Sequence, residues 1–284
     1  MNRITHMRRE ALESPSVVAN LLKHDADIIH NLVEALRRQP PEHIITFARG
    51  SSDHAASYFS YLCMVRSGHY VTSVPPSLVS LHEAPLRRSG TLALTFSQSG
   101  MSPDLIKASA YFNSPKSLSV AIVNDTASPL AQQAQTVLPL HAGTEISVAA
   151  TKSFIAQLVS GARLVAAWQG DGALLDGLEQ LPSSLETAAQ QDWSAAVQSL
   201  VTADRLMVVS RGTGMAVALE AALKFKETCG IQAETFSSAE VRHGPMALIE
   251  QGYPVLILAP RGPAQQEMLA LAVEMGARGA RVLV

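Results

Sequence analysis

An internal repeat constrains the fold of this chain more than any other feature of its sequence. Residues 43–50 (HIITFARG) have the pattern of a buried strand followed by an Arg-Gly turn, and this pattern returns at residues 205–212 (RLMVVSRG). Two further pairs of apolar segments keep the same spacing of about 160 residues, at 91–97 and 253–259 and at 119–123 and 280–284. Such regular self-similarity predicts a tandem duplication rather than one large sheet.

Strands alternate with helices in the predicted secondary structure. In the first copy, apolar segments at 43–48, 91–96 and 119–123 are each followed by a turn and by residues with helical spacing. This alternation predicts an α/β fold, a doubly wound parallel sheet flanked by helices, in which ligands bind at the carboxyl ends of the strands. A long helix is predicted over residues 147–169.

The duplication, together with the placement of glycine and proline, predicts two domains. Gly172, Gly177 and Pro182 indicate a boundary, so residues 1–182 are predicted to hold two N-terminal helices and the first domain, and residues 183–284 the second. The second copy ends within the strand that matches 119–123. We therefore expect the second domain to be incomplete at its C-terminus, without a final strand, helix and tail.

Composition and charge exclude several classes of function. The chain is 47% apolar and 16% charged, and its net charge of −2 offers no broad basic surface for nucleic acid. Cys63 and Cys229 form neither a disulfide framework nor a zinc set, and the histidines lack metal-binding spacing, so we predict no metal and no cofactor. Because no apolar targeting or membrane-spanning segment is found, a cytoplasmic protein without membrane contact is predicted.

The residues best suited to chemistry lie on one predicted helix and the turn that follows it. Glu220, Lys224 and Glu227 are spaced i, i+4 and i+7, so they share a face of the helix, which ends at Gly230. Taken alone, such a triplet is more often a solvated face with Glu–Lys pairs. His243 follows on a turn shaped by Gly and Pro, so a carboxylate and an imidazole suited to proton transfer lie within one supersecondary unit.

A serine-rich turn, residues 97–102 (SQSGMS), lies between a predicted strand and a predicted helix. Backbone N–H groups and the hydroxyls of Ser97, Ser99 and Ser102 could converge there on an anion such as a phosphate. For the turn on its own, a plain helix N-cap is the more common explanation. The repeat and the other motifs favour phosphate binding.

Three basic residues allow two interpretations each. Arg49 and Arg211 begin turns that follow strands, where they either bind substrate or form salt bridges across the domain interface. Lys152 begins a helix, either as a Schiff-base amine or, as we favour, as a solvated or ion-paired lysine. The glycines at 212 and 214 do not complete a dinucleotide fingerprint, because Val217 stands where that motif has Gly or Ala.

These segments together resemble the SIS (sugar isomerase) family, in particular the tandem-SIS isomerase half of glucosamine-6-phosphate synthase. The pattern ALEAALKFKE followed by EVRHGP is similar to the second SIS domain, and SQSGMS is similar to the phosphate loop of the first. The similarity extends to the leading segment, the first Gly-Ser turn and the EISVAATK motif, at residues 7–15, 49–55 and 145–152. Met101 and Ala150 depart from the family, which has Glu and Ser there.

The resemblance implies a sugar-phosphate substrate and a binding mode for it. The phosphate of an amino-sugar or ketose phosphate would bind at the serine loop, on Ser97, Gln98, Ser99 and Ser102. The sugar would lie beside Ser52 and Val148. No metal or cofactor is implied.

The resemblance also implies roles in catalysis. Glu227 would move a proton between C1 and C2 through an enediol or enamine, and His243 would assist ring opening. Lys224, with Glu220 as its charge partner, would hold the open-chain substrate. In the family the histidine reaches the site of the neighbouring subunit, so a homodimer is predicted in which His243 completes a shared active site.

The reaction direction is predicted from what precedes the first helix. Glucosamine-6-phosphate synthase needs an N-terminal glutaminase domain with a cysteine after the initiator methionine, whereas residue 2 here is Asn and the SIS-type leader begins almost at once. Without that ammonia source, mass action favours a deaminase that converts glucosamine 6-phosphate to fructose 6-phosphate and ammonia. A plain aldose–ketose phosphosugar isomerase and a non-catalytic sugar-phosphate-binding SIS regulator remain alternatives, although no DNA-binding segment is found.

Overall fold

The computed structural model describes residues 4–284, which divide into two compact units, unit 1 (Met1–Gln190) and unit 2 (Gln191–Val284). The division falls beyond the predicted boundary at residue 182, because the expected linker is part of a helix, Gly172–Ala189. Pro182 lies inside this helix, where a proline costs about 3 kcal/mol by removing a hydrogen bond. Leu174, Leu178 and Leu185 pack on the core of unit 1 and offset that cost.

Unit 1 is an α/β unit with a five-stranded sheet in the order β2-β1-β3-β4-β5, and all its strand pairs are parallel. Its elements in chain order are α1 (His6–Lys23), α2 (Ala26–Arg38), β1 (His43–Phe47), α3 (Ser51–Ser67), β2 (Val71–Ser73), α4 (Ser77–Ser80), β3 (Thr91–Ser97), α5 (Pro103–Phe112), β4 (Ser117–Val123), α6 (Pro129–Gln133), β5 (Thr136–Pro139), α7 (Lys152–Gln169) and α8 (Gly172–Ala189). The predicted parallel sheet is confirmed.

The central strand β3 is buried along its whole length and divides the core into two layers. Its side chains alternate between the faces of the sheet. Leu92, Leu94 and Phe96 belong to the larger core, which α1, α2, α3 and α7 cover, whereas Ala93 faces a smaller core that Leu105 of α5 helps to form. Helices therefore flank both faces of the sheet, as the alternation of strands and helices predicts.

The helix predicted over residues 147–169 begins at Lys152 instead. The side chain of Glu145 accepts the amide of Thr151 at 2.9 Å and the amide of Ser153 at 3.3 Å, so this carboxylate caps α7. Residues 147–151 consequently form a loop at the carboxyl edge of the sheet. Their sequence resembles a helix because it has no strong breaker, and the side chain of Glu145, six residues before Thr151, sets the start.

Unit 2 repeats this architecture. Its sheet has the order β7-β6-β8-β9, again all parallel, which matches the order β2-β1-β3-β4 in unit 1. Its elements are α9 (Ser194–Leu200), β6 (Arg205–Ser210), α10 (Gly214–Cys229), β7 (Gln232–Ser237), α11 (Ser238–Val241), a 3-10 helix (Pro245–Leu248), β8 (Pro254–Ile257), α12 (Gln265–Ala277) and β9 (Arg281–Leu283).

The strand β7 is an element of unit 2 that the sequence does not predict. Its residues, QAETFS, include only two apolar side chains, and most of the strand is exposed or half-buried. It is an edge strand that pairs with β6 alone, so its backbone needs a partner on one side only. An edge position relaxes the demand for apolar side chains, which removes the signal that strand prediction uses.

Candidate active site

The serine loop (residues 97–102) follows β3 at the carboxyl edge of the unit 1 sheet. Its own hydroxyls set its shape, because the Gly100 amide donates to Ser97 Oγ at 3.0 Å and the Met101 amide donates to Ser99 Oγ at 3.3 Å. Ser102 is the N-cap of α5, but its side chain makes no hydrogen bond to the first turn. The Ser102 hydroxyl is therefore available to an anion at a helix end where the dipole favours negative charge.

Gly100 packs the serine loop against the next loop of the unit. Its φ of 65° lies in the left-handed region, and an added Cβ would overlap Ser128 Oγ and come within 2.6 Å of Ser128 Cβ. Ser128 cannot easily move, because its Oγ accepts the Ala131 amide as the N-cap of α6. Glycine meets both the backbone requirement and the packing requirement at this position.

The two predicted sugar contacts, Ser52 and Val148, differ in their surroundings. Ser52 lies in the first turn of α3 and is only 9% exposed, and its Oγ accepts a hydrogen bond from Nε2 of Gln157 on α7 at 3.0 Å. Val148 is 99% exposed on the loop before α7. Ser52 is thus held in a packed environment, whereas Val148 can offer a ligand its backbone and an uncovered side chain.

A buried carboxylate from α1 holds the loop that carries Val148. Glu10 accepts the amides of Ile146 and Ser147, the latter at 3.2 Å from Oε2. Burial raises the pKa of the Glu10 carboxyl, but the hydrogen bonds from Ile146 and Ser147, together with the charge of Lys152, lower it, and the net pKa lies below its ordinary value. Glu10 is therefore held as an anion whose oxygens satisfy the loop amides.

The three basic residues with two interpretations are all ion-paired within a single unit. Lys152 is 4% exposed, and its Nζ donates to Glu13 Oε2 on α1 at 2.7 Å, so the ion-paired interpretation is confirmed. Arg49 and Arg211 pair with acids in the first turns of α5 and α12, Asp104 and Glu267. Their salt bridges therefore lie inside each unit, contrary to the expectation of bridges across the domain interface.

The predicted charged face on α10 is present in unit 2. Lys224 lies between two carboxylates, with its Nζ 3.1 Å from Glu220 Oε1 and 2.7 Å from Glu227 Oε2. The side chain of Glu220 is 7% exposed, that of Lys224 is 16% exposed and that of Glu227 is 35% exposed. The cluster thus runs from a buried anchor, Glu220, through a largely buried cation to a carboxylate that solvent or a ligand can reach.

His243 lies on an exposed turn between α11 and the 3-10 helix of unit 2. The turn is fixed by Arg242, whose guanidinium bonds to Glu274 of α12 at 2.9 and 2.8 Å. Within residues 4–284 the His243 ring makes no hydrogen bond or ion pair, so the structure does not join it to Glu227 or Lys224 by such a contact. Its imidazole is left open to another molecule.

The two units differ at the loop after their third strand in chain order. The serine loop of unit 1 corresponds to residues 259–264 (APRGPA) of unit 2, which contain two prolines and no hydroxyl side chain. Proline removes N–H donors as well, so this loop offers an anion fewer hydrogen bonds. Of these two loops, the serine loop of unit 1 is therefore the better suited to an anion.

Two cavities of unit 1 lie at opposite edges of its sheet. An open cleft of about 830 Å³ at the carboxyl edge includes Gln98, Asn124, His141 and Glu145 in its lining. A smaller cavity of about 230 Å³ at the amino ends of β3 and β4 includes Gly90 and Lys116 and contains no predicted site residue. The carboxyl edge is where ligands of parallel sheets bind, so the cleft beside the serine loop is the candidate binding site.

Residues 4–284 contain neither a metal-binding cluster nor a helix suited to crossing a membrane. In this part of the chain, no three His, Cys, Asp or Glu side chains lie close enough together to hold a metal ion. Over the same residues, no helix combines the length and apolar character that a membrane crossing requires.

The family model described as SIS domain matches residues 38–167 and 199–284, which together are more than half of the chain. This chain belongs to the SIS domain family. The two matched segments coincide with the sheets of unit 1 and unit 2.

Known SIS proteins similar to this chain include enzymes of sugar phosphates. The chain is 35% identical over 283 residues to the glutamine–fructose-6-phosphate aminotransferase (isomerizing) of Methanothermobacter thermautotrophicus, covering 98% of this chain and 46% of that protein. It therefore spans about half the length of the curated relatives that it matches. A provisionally assigned phosphosugar isomerase from Silicibacter pomeroyi DSS-3 has a structure with a TM-score of 0.94 and 42% identity, covering 98% of this chain and 85% of that one.

A more distant SIS structure shares the fold. The glucosamine-6-phosphate deaminase of Thermotoga maritima superposes with a TM-score of 0.76 over 96% of this chain and 84% of that one, at 23% identity. At this identity the similarity concerns the fold alone.

Sequence reasoning missed two residues of this SIS chain that contact predicted site elements. Glu10 supports the loop of Val148, and Gln157 bonds to Ser52. A signal for Glu10 exists, because it lies on the buried face of α1 with Ser14, Val17, Val18 and Leu21. An acid on an otherwise apolar helix face needs a partner, but the sequence cannot name the loop 136 residues away that supplies it.

The packing of Gly100 predicts a specific loss of binding in Gly100→Ala. The added methyl group would displace Ser128 or the serine loop, so the affinity for fructose 6-phosphate should fall by at least about tenfold. Gly170→Ala is the matched control, because Gly170, at the C-terminal end of α7, has nearly the same φ, 64°, but open space around its Cβ position. Isothermal titration of both variants checks this, and equal affinities would contradict it.

The lowered pKa of Glu10 predicts a pH-dependent loss of stability in Glu10→Gln. The ionised carboxylate stabilises the fold above its unfolded pKa, and this stabilisation disappears as the pH falls through the lower folded pKa. At pH 7 the variant should lose about 1–3 kcal/mol of unfolding free energy, because two loop amides lose a charged acceptor.

The difference from the unsubstituted protein should shrink below about pH 4. Urea unfolding between pH 3 and pH 7 measures it. Glu34→Gln is the control, because Glu34 forms an exposed pair with Arg37 that contributes little. A pH-independent difference for Glu10→Gln would contradict the role of its charge.

Proposed function

We propose that the chain consists of two tandem SIS domains and is a phosphosugar isomerase that releases ammonia from an amino-sugar 6-phosphate. The observation that carries this proposal is the cluster on α10, where Lys224 bridges the buried Glu220 and the half-exposed Glu227. A carboxylate that is reachable and yet held in place by a cation has the properties of a positioned proton-transfer group. The serine loop of unit 1 supplies hydroxyls suited to the phosphate.

The proposed reaction begins with an open-chain 2-amino-aldose 6-phosphate. Glu227 takes the proton from C2 while the C1 carbonyl oxygen gains a proton, which gives an enolamine with a C1–C2 double bond. Glu227 then returns a proton to C1, and the resulting imine at C2 is hydrolysed by one water to the ketose phosphate and ammonia. His243 assists opening of the sugar ring, and the Lys224 ammonium stabilises negative charge as it develops on the substrate oxygens.

The similarities to a solved structure and to a curated relative support different parts of this proposal. The 42% identical structure is provisionally assigned as a phosphosugar isomerase, and the 35% identical relative is a glutamine–fructose-6-phosphate aminotransferase (isomerizing). A plain aldose–ketose isomerase would use the same proton transfer with a hydroxyl at C2 in place of the amine, and the first similarity favours it as the second candidate. A sugar-phosphate-binding regulator would bind the ligand without turnover.

The carboxylate of Glu227 is tested by ammonia release. Incubation with glucosamine 6-phosphate should yield fructose 6-phosphate and ammonia in equal amounts, and Glu227→Gln should lower kcat by about 10²–10⁴-fold, because the amide cannot accept the C2 proton. Glu234→Gln is the control, because Glu234 is an exposed carboxylate on the edge strand β7 and does not belong to the charged face of α10.

The outcomes separate the candidates. Turnover of glucose 6-phosphate to fructose 6-phosphate without ammonia release from the amino sugar would establish the plain isomerase. Binding without turnover of either would establish the regulator. A Glu227→Gln variant within about tenfold of normal activity would remove Glu227 as the base.

We further propose a homodimer in which His243 serves the neighbouring subunit. The support is its exposed ring without partners among residues 4–284, on a turn that Arg242 fixes. In an equal mixture of Glu227→Gln and His243→Ala chains, each mixed dimer then contains one intact site.

Because about half of the dimers are mixed, co-expression of the two variants should restore roughly a quarter of the normal activity. Each variant alone should remain inactive, and doubly substituted Glu227→Gln, His243→Ala chains are the control. Assays on the co-purified mixture measure the recovery. No recovery in dimers shown to be mixed would place Glu227 and His243 in the same subunit.

A further inference from the structure

The hydrogen bond between Gln157 and Ser52 has a direction that matters for ligand binding. Gln157 is 1% exposed, and its Nε2 donates to Ser52 Oγ at 3.0 Å. Ser52 therefore uses its oxygen as an acceptor, and its hydroxyl proton is not given to Gln157. Among residues 4–284 that proton meets no acceptor, so it remains available to a bound molecule.

The other amide atom of Gln157 has no partner. Its Oε1 is buried and makes no hydrogen bond in the described part of the chain. Leaving a buried acceptor unsatisfied costs about 1–3 kcal/mol, which a protein can avoid by an apolar residue of the same shape. The amide therefore destabilises the free protein slightly, and its retention needs a reason beyond folding.

The helices that carry the two residues are fixed against each other. Gly161 lies one turn after Gln157 on α7, and a Cβ there would be 3.3 Å from Phe59 Cβ of α3. The absence of a side chain at Gly161 allows the close approach of the helices. Ser52 and Gln157 consequently meet at a distance that packing sets, independent of any ligand.

We propose that Gln157 is a positioning residue that makes the hydroxyl of Ser52 a hydrogen-bond donor to an oxygen of the bound sugar phosphate. Gln157 itself touches no ligand atom. With its amide reversed, Oε1 would accept the Ser52 proton and withdraw it from the site, so sugar-phosphate binding selects the orientation in which Nε2 donates. The proposal rests on the proposed sugar-phosphate site, because it needs an acceptor beside Ser52.

Gln157→Met tests this role, because Met keeps the length of the side chain and removes both amide atoms. The dissociation constant for fructose 6-phosphate should rise by about 3–20-fold, the loss of one oriented hydrogen bond. The melting temperature should stay the same or rise, since the buried unpaired Oε1 disappears. A purely structural role of Gln157 would instead lower the melting temperature and leave the affinity of the folded protein unchanged.

A double-mutant cycle with Ser52→Ala makes the test specific. If Gln157 acts through Ser52, then Gln157→Met should weaken binding further by less than about twofold in the Ser52→Ala background. Gln157→Glu should weaken binding more than Gln157→Met does, because a carboxylate accepts the Ser52 proton and repels a phosphorylated ligand. Additive effects of Gln157→Met and Ser52→Ala would overturn the proposal, as would unchanged affinity in Gln157→Met.

Titration calorimetry with fructose 6-phosphate separates this inference from the proposed reaction. Coupled binding effects of Ser52 and Gln157 without ammonia release would keep the inference and remove the deaminase. Ammonia release that depends on Glu227, with binding unaffected at Ser52 and Gln157, would keep the deaminase and remove the inference. If the unsubstituted protein binds no fructose 6-phosphate at millimolar concentration, both are overturned.

Discussion

Parallel pairing of the strands is the constraint on which the rest of the molecule depends. A parallel strand can be joined to its neighbour only by a crossover, so successive strands are connected through helices. Within each sheet the carboxyl ends of the strands therefore share one edge. Because β1 and β3 are neighbours, the turn before α3 and the serine loop leave the sheet side by side. Ser52 and Ser97, which are far apart in sequence, thereby reach the same edge.

Buried charges complete this edge where regular structure ends. The loop after residue 144 has neither strand nor helix partners for its amides, and Glu10 and Glu145 provide acceptors instead. Lys152, which is buried at the start of α7, is neutralised by Glu13 from α1. An uncompensated charge at such a position costs several kcal/mol, so α1, α7 and the loop are interdependent. The N-terminal helix thus supports the edge that holds the candidate binding site.

The two units share the same strand order but differ in the side chains at corresponding positions. In both units an arginine follows the first strand. It pairs with an acid at the start of the helix that follows the third strand. The serine loop of unit 1 has three hydroxyl side chains, whereas the corresponding loop of unit 2, residues 259–264, has none. The charged face of α10 corresponds to positions 58, 62 and 65 of α3, which are Tyr, Leu and Val. The same arrangement of strands thus presents hydroxyl groups in unit 1 and a charged helix face in unit 2.

Structural features that follow from local periodicity or from the internal repeat can be predicted from the sequence. It predicted the parallel α/β fold, the equivalence of the two copies and the shared helix face of Glu220, Lys224 and Glu227, because spacing along one helix fixes that face. The turn that carries His243 can also be predicted from the sequence, since Gly and Pro restrict the backbone locally.

Structural features that depend on contacts between residues far apart in the sequence are defined only in the folded chain. The loop before α7 is held by the side chain of Glu10 on α1, the helix through Pro182 is maintained by leucines on the core of unit 1, and β7 forms because β6 offers its edge. The contact of Gln157 with Ser52 requires the close packing of α3 and α7. Such contacts join residues that no local pattern connects, so their energies are invisible until the chain is folded.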